Sequence, residues 1–220
     1  MKAINRKFVA LAIAAIAFSA NSCTNSAQNS TNSTSADMVS KTDHSMMNHG
    51  NMEMDLGAAD ANYDLRFIDA MMMHHQGAVI MAQEALEKSQ RPEIKQLANN
   101  IIAAQKKEIA QMKQWRTAWY PNASKQPVAY GGANKSVMPM SAKQYESMMM
   151  SQDLGAADSN FDLRFLDAMI PHHEGALVMA KDALNKSTRS EIKQLNQNII
   201  ASQQAEITQM KQWRTAWYNK

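Results

Sequence analysis

Residues 55–120, DLGAADANYDLRFIDAMMMHHQGAVIMAQEALEKSQRPEIKQLANNIIAAQKKEIAQMKQWRTAWY, return at 153–218 without a gap and with roughly two thirds of positions identical, so the core is an internal duplication. Within each copy the apolar residues step by three and four. Phe67, Met71, His74, Ala78, Met81 and Ala85 fall on one face of a helix running from near Tyr63 to Lys88. Ile94, Leu97, Ile101, Ile109, Met112, Trp115 and Trp119 make the matching stripe of a second helix, from near Glu93 to Trp119. Ser89-Gln90-Arg91-Pro92 separates them, with Pro92 suited to a first helical turn, and Thr188-Arg189-Ser190-Glu191 has the spacing of a capping box at the same place in copy two. So short a connection makes the two helices antiparallel neighbours. One hairpin buries only one side of each stripe, whereas two together close a bundle. The predicted fold is therefore all-α, a four-helix bundle of two duplicated antiparallel hairpins with helices roughly 40 Å long.

Outward from the duplication, residues 121–152 form a connector with Pro, two adjacent glycines and the methionine groups Met138-Pro139-Met140 and Met148-Met149-Met150. It is long enough to run the length of the bundle. Residues 23–54 are rich in Ser, Asn and Thr and cannot bury enough apolar surface to offset their ordering entropy, which predicts a flexible tether. That tether ends in a methionine–histidine tract, His44, Met46, Met47, His49, Met52 and Met54. Lys2, Arg6 and Lys7 precede the apolar run Phe8–Phe18, too short for a stable membrane anchor, so residues 1–22 read as an export signal. Ala20-Asn21-Ser22-Cys23 resembles a lipoprotein cleavage box, with Ala20 where leucine is usual, and makes Cys23 the candidate lipidated residue. The expectation is an exported bacterial protein, periplasmic or associated with the outer membrane, with a membrane contact through its N-terminal lipid.

The 23 basic and 20 acidic residues give a net charge of +3, and they are interleaved along the helices. No basic block stands out, which argues against a nucleic-acid partner. A single cysteine permits no internal disulfide and leaves the mature core without a thiolate ligand. Against this stand 19 methionines. Every histidine lies either in the tether or in one of two pairs, His74-His75 and His172-His173.

Each pair has methionine at helical spacing: Met71 and Met81 in copy one, Met169 and Met179 in copy two, with Met112 and Met210 on the second helices able to complete a set. Imidazole with thioether suits a soft or borderline ion, Cu(I) above all and Ag(I) with it. The candidate ligands are thus Met71, His74, His75, Met81, Met169, His172, His173 and Met179, with Met112, Met210 and the tether's methionines and histidines as further donors. Adjacent histidines lie about 100° apart around a helix, so the two rings of a pair cannot serve one ion in the same way. Asp69 and Asp167 are candidates to orient an imidazole or simply to solvate the helix. Pro171, where copy one has Met73, predicts a kink.

The stretch from Asp162 to Ala180, DLRFLDAMIPHHEGALVMA, closely resembles the signature of the DUF305 family of exported bacterial proteins. The resemblance covers both copies. It implies a ferritin-like four-helix bundle, a link to copper binding and copper tolerance, and ligand roles for Met169, His172, His173 and Met179. Copy one matches at Met71, His74, His75 and Met81 but has Met72-Met73 in place of Ile-Pro.

The leading reading is a binding protein, not an enzyme, that sequesters or transfers copper, with a copper-exporting or copper-accepting envelope protein as a further partner. A ferritin-like metal oxidase would need Glu-x-x-His on two helices, and none occurs in this chain. A third reading makes the bundle a partner-binding module of the cell envelope, anchored by Trp115, Trp119, Trp213 and Trp217.

Overall fold

The structure is a computed structural model and describes residues 55–132 and 137–220. The signal segment, Cys23 and the tether with His44, Met46, Met47, His49, Met52 and Met54 lie outside the described residues. Helix α1 spans Tyr63–Lys88 and α2 Pro92–Trp119; after a two-residue ribbon, β1 Val128–Ala129 and β2 Met138–Pro139, come α3 Ala142–Met149, α4 Phe161–Lys186 and α5 Ser190–Tyr218. The hairpins α1–α2 and α4–α5 pack against each other through α1 and α4, and α3 and β1 lie on α1. This is the four-helix bundle that the duplication predicts. Among the described residues no helix is long and apolar enough to cross a membrane.

Both hairpin turns are made by serine. The Ser89 hydroxyl accepts the Arg91 N–H and the Ser187 hydroxyl the Arg189 N–H, both at 3.1 Å. The capping box expected at Thr188–Glu191 is not formed, because the helix starts at Ser190 and its N-cap, Arg189, has no side-chain cap. A reciprocal box occurs instead at the start of α3, between Ser141 and Gln144. Helix α4 runs unbroken through Pro171, whose ring lies on the exposed side.

Each copy is entered by a loop pinned to its own first helix. Buried Arg66 donates to the carbonyls of Leu56 and Ala58 at 2.6 Å and to Asp60 at 2.8 Å; Arg164 does the same with Leu154, Ala156 and Asp158. Gly57, at φ +78°, lies under the Tyr130 ring, where a Cβ would come within 2.3 Å of ring carbons.

Contacts between the hairpins come in equivalent pairs. Lys88 donates to the Gly155 carbonyl and Lys186 to that of Gly57. Arg91 meets Asp162 and Arg189 meets Asp64. The same two guanidinium groups cover Trp217 and Trp119 at 4.2 and 4.1 Å. The start of α1 therefore lies beside the end of α4 and the reverse, so the two helices are antiparallel and related by an internal pseudo-twofold.

The core follows that symmetry. One apolar cluster joins the first half of α1 to the second half of α4, from Tyr63 and Phe67 to Met179 and Ala183. The other joins the second half of α1 to the first half of α4, from Met81 and Ala85 to Phe161 and Phe165. Between them, at the middle of the bundle, lies a buried polar layer.

Candidate metal centre

His74 is the twelfth residue of the 26-residue helix α1, and His172 the twelfth of the 26-residue α4. Two antiparallel helices of equal length cross near their middles, which brings these residues together. Their ring centroids are 3.8 Å apart at an interplanar angle of 48°, and both side chains are completely buried. Burial, and then the neighbouring imidazoles, hold His74 well below its ordinary pKa. Burial followed by the charge of His173 lowers His172 to about 3. The pair is therefore neutral, with lone pairs available to a metal.

The outer members point elsewhere, as their 100° offset requires. His75 Nε2 meets a Glu108 carboxylate oxygen on α2, and His173 Nε2 meets Glu206 on α5, each at 2.7 Å. All four histidines are fully buried, so neither pair sends a ring to solvent. A carboxylate on one imidazole nitrogen keeps the proton there and leaves the other as a ligand. His75 Nδ1, His173 Nδ1, His172 Nδ1 and both nitrogens of His74 have no protein partner, and Gln105 and Gln203 each bury an unpartnered Oε1 on α2 and α5. Such orphans cost about 1–3 kcal/mol each, and the four histidines carry five of the ten found among the described residues, which marks them as candidates for binding.

Methionine is prominent in both apolar clusters. Met71, Met112 and Met179 belong to one apolar cluster and Met81, Met169 and Met210 to the other, and all six are fully buried. Each trio draws on three helices. Among the described residues no three His, Cys, Asp or Glu side chains converge to hold an ion. Thioether beside neutral imidazole is a donor type that suits Cu(I) and Ag(I).

Asp69 and Asp167 do not orient an imidazole. Asp69 takes Arg116 and the Val128 N–H, and Asp167 takes Arg214. The orienting carboxylates are Glu108 and Glu206, which sequence reasoning missed although both copies carry them. Glu206 also lines an open groove of about 650 Å³ between α2 and α5, with Pro92, Leu97, Gln209 and Trp213. One carboxylate therefore touches both the groove and a buried histidine.

The two halves differ in how their central histidines are held. The Nε2–H of His172 donates to the Met149 carbonyl at 3.1 Å, whereas neither His74 nitrogen is held. The end of α3 comes this close because α1 has glycine beneath it: a Cβ on Gly77 would stand 1.7 Å from the Met149 oxygen. Gly77→Ala is expected to lift the connector from α1, at a cost of about 1–3 kcal/mol. Hydrogen exchange should show the loss as faster amide exchange across residues 142–150 with helix α5 unchanged; unaltered protection there would refute it.

The family model described as a domain of unknown function, DUF305, matches residues 17–116 and 64–214. The chain is 39% identical to CopM solved in an Ag-bound form, with a TM-score of 0.56, over 70% of this chain and 97% of that one. For CopM in the Cu(II)-bound form the identity is 42%, with the same TM-score and coverage. A secreted DUF305 protein from Streptomyces coelicolor is 28% identical at a TM-score of 0.50, over 67% of this chain and 87% of that one. An uncharacterised protein of Acanthamoeba polyphaga mimivirus is 47% identical over 49 residues, 22% of this chain and 32% of its own length. The chain thus spans about a third of that curated relative.

Proposed function

The chain belongs to the DUF305 family, and we propose that it is an exported copper-binding protein that sequesters or passes on Cu(I), and accepts Ag(I), without catalytic turnover. The observation that carries this reading is the neutral, buried His74–His172 pair with free imidazole nitrogens, with three fully buried methionines in each of the two core clusters. The similarity to CopM, solved in Cu(I)-, Cu(II)- and Ag-bound forms, supports copper as the cargo.

In this reading His74 and His172 supply the central nitrogen donors, and methionines from the flanking trios complete the coordination. Thioether and neutral imidazole favour the reduced ion, and methionine does so without the oxidation and pairing that thiols meet outside the cytoplasm. Glu108 and Glu206 hold His75 and His173 with Nδ1 free, ready to receive an ion or hand it to the central pair. The groove that reaches Glu206 provides an approach from solvent. The lipid on Cys23 would keep the protein at a membrane outside the cytoplasm, and the His44–Met54 tract would raise the local concentration of captured ions.

The tryptophans do not favour a partner-binding module. Trp115 stacks on Trp119 and Trp213 on Trp217, and Arg189 and Arg91 of the opposite hairpins cover the outer ring of each stack. Trp119 and Trp217 thus help to join the hairpins.

Anaerobic Cu(I) titration against a competing chelator tests the reading. The mature chain should bind tightly, and a variant with His74, His75, His172 and His173 all changed to alanine should lose at least about 100-fold in affinity, or about 2.7 kcal/mol. Affinity retained in a folded variant would move the chemistry to the tether or to methionine alone, and no binding by the parent chain would end the copper reading.

A further inference from the structure

The outer face of α1 carries a second concentration of methionine that the histidine layer does not use. Ala70, Met73 and Gly77 succeed one another at steps of three and four on that face. Ala70 lines a small cavity of about 100 Å³ together with Met140, Gln144 and Met148 of the connector. Gly77, one turn beyond Met73, lies directly beneath the Met149 backbone. Met73 therefore sits between two points at which the methionine-bearing connector touches the helix. Met72, Met73 and Met148 are 5%, 7% and 4% exposed, and Met140 and Met149 pack half-buried against the same cluster.

Comparison of the copies bears on what these methionines are for. The equivalents of Met72 and Met73 are Ile170 and Pro171, and the outer face of α4 is open, with Pro171, Glu174 and Val178 exposed. Thioethers replace isoleucine and proline only where a connector carrying its own methionines lies over the helix. Isoleucine and leucine would fill that interface with better-defined rotamers, so packing alone does not select methionine on both sides of it.

We propose that Met73, Met140 and Met148 form a second metal site, made of thioether alone and selective for Cu(I) or Ag(I), between α1 and the connector. Met72 and Met149 stand beside it as further sulfur donors. The nearest carboxylate at the cavity, Asp55, accepts the Gly57 N–H. With thioether ligands no proton leaves when the ion binds, and harder divalent ions such as Zn(II) gain little. The site is distinct from the histidine layer, which meets it where His172 holds the Met149 carbonyl.

The test is Ag(I) titration of the full mature chain with methionines labelled at the ε-methyl carbon, read residue by residue by NMR. The Met73, Met140 and Met148 methyl signals should shift together at substoichiometric to low equivalents, equally at pH 5.5 and 7.5, and should be unmoved by Zn(II). They should still shift when His74, His75, His172 and His173 are alanine, which separates this site from the central one. Changing Met73, Met140 and Met148 to leucine together should abolish the response while the Met71 and Met169 signals still move. If the triple variant does not fold, Met73→Leu alone should weaken the midpoint seen at Met140 and Met148 by at least about 10-fold. Methyl signals of Met73, Met140 and Met148 that stay fixed while others shift would mean that these side chains only pack, and would overturn the proposal.

Discussion

Changing Asp69 to alanine is expected to destabilise the protein by about 3–5 kcal/mol, whereas the same change at the equivalent Asp167 should cost under about 1 kcal/mol. The side chain of Asp69 is 1% exposed. Its two oxygens accept both Nε and Nη2 of Arg116, and one also accepts the buried Val128 N–H at 2.9 Å. Alanine there leaves a largely buried guanidinium with the Ser124 and Gln126 carbonyls but no counter-charge, and a buried amide without its acceptor. It also frees β1, which begins at Val128, from α1. Asp167 is 42% exposed and has a single Arg214 contact, itself 35% exposed, so water replaces what the mutation removes. Urea unfolding of the two variants side by side gives the comparison. Equal losses would mean that the connector contributes nothing at Asp69. Asp69→Asn, which keeps one acceptor but not the charge, should fall between the two.

That contrast marks where sequence reading stops. Copies related by so much identity dictate the same hairpin twice, so the helices, their bounds and the four-helix bundle were legible from apolar periodicity and the turn residues. Periodicity says which residues share a face of one helix. It does not say at what height two hairpins dock, so the meeting of His74 with His172 was not legible, although both occupy the same place in helices of the same length. The proton-holding role of Glu108 and Glu206 was hidden for the same reason: they lie 33 residues from the histidines they touch. Asp69 and Asp167 looked equivalent because the copies align. The connector covers α1 and leaves α4 open, and that makes them unlike. Helix α3 had a local signal in Ser141 and Gln144, overlooked among the loop-like residues around it. The serine turns at Ser89 and Ser187 likewise prevailed over the capping-box spacing at Thr188, since a hydroxyl two residues before the arginine reaches its N–H without altering the helix start.

Acid should unfold the metal-free protein over an unusually steep range. The folded-state pKa values of His74 and His172 are depressed, so below about pH 6.5 the unfolded chain takes up two protons that the folded chain refuses. Stability is then fully present above the unfolded value and declines as pH falls, by about 1.4 kcal/mol per pH unit for each ring or about 3 for both. For His172 the decline ends only as pH approaches its folded value of about 3. Against a total of about 5–15 kcal/mol for a domain, a loss of about 1.4 kcal/mol per pH unit at each ring is a large fraction. Urea midpoints measured each half unit between pH 7.5 and 4.5 should follow that slope. They should flatten when His74 and His172 are both changed to glutamine, and a wild-type slope as shallow as the variant's would mean that the pair is not buried neutral. The same linkage makes the layer a metal site rather than a proton site. The folded chain holds both rings neutral and offers them to an ion without first having to expel a proton from either, so at the central pair acid releases metal by unfolding the bundle.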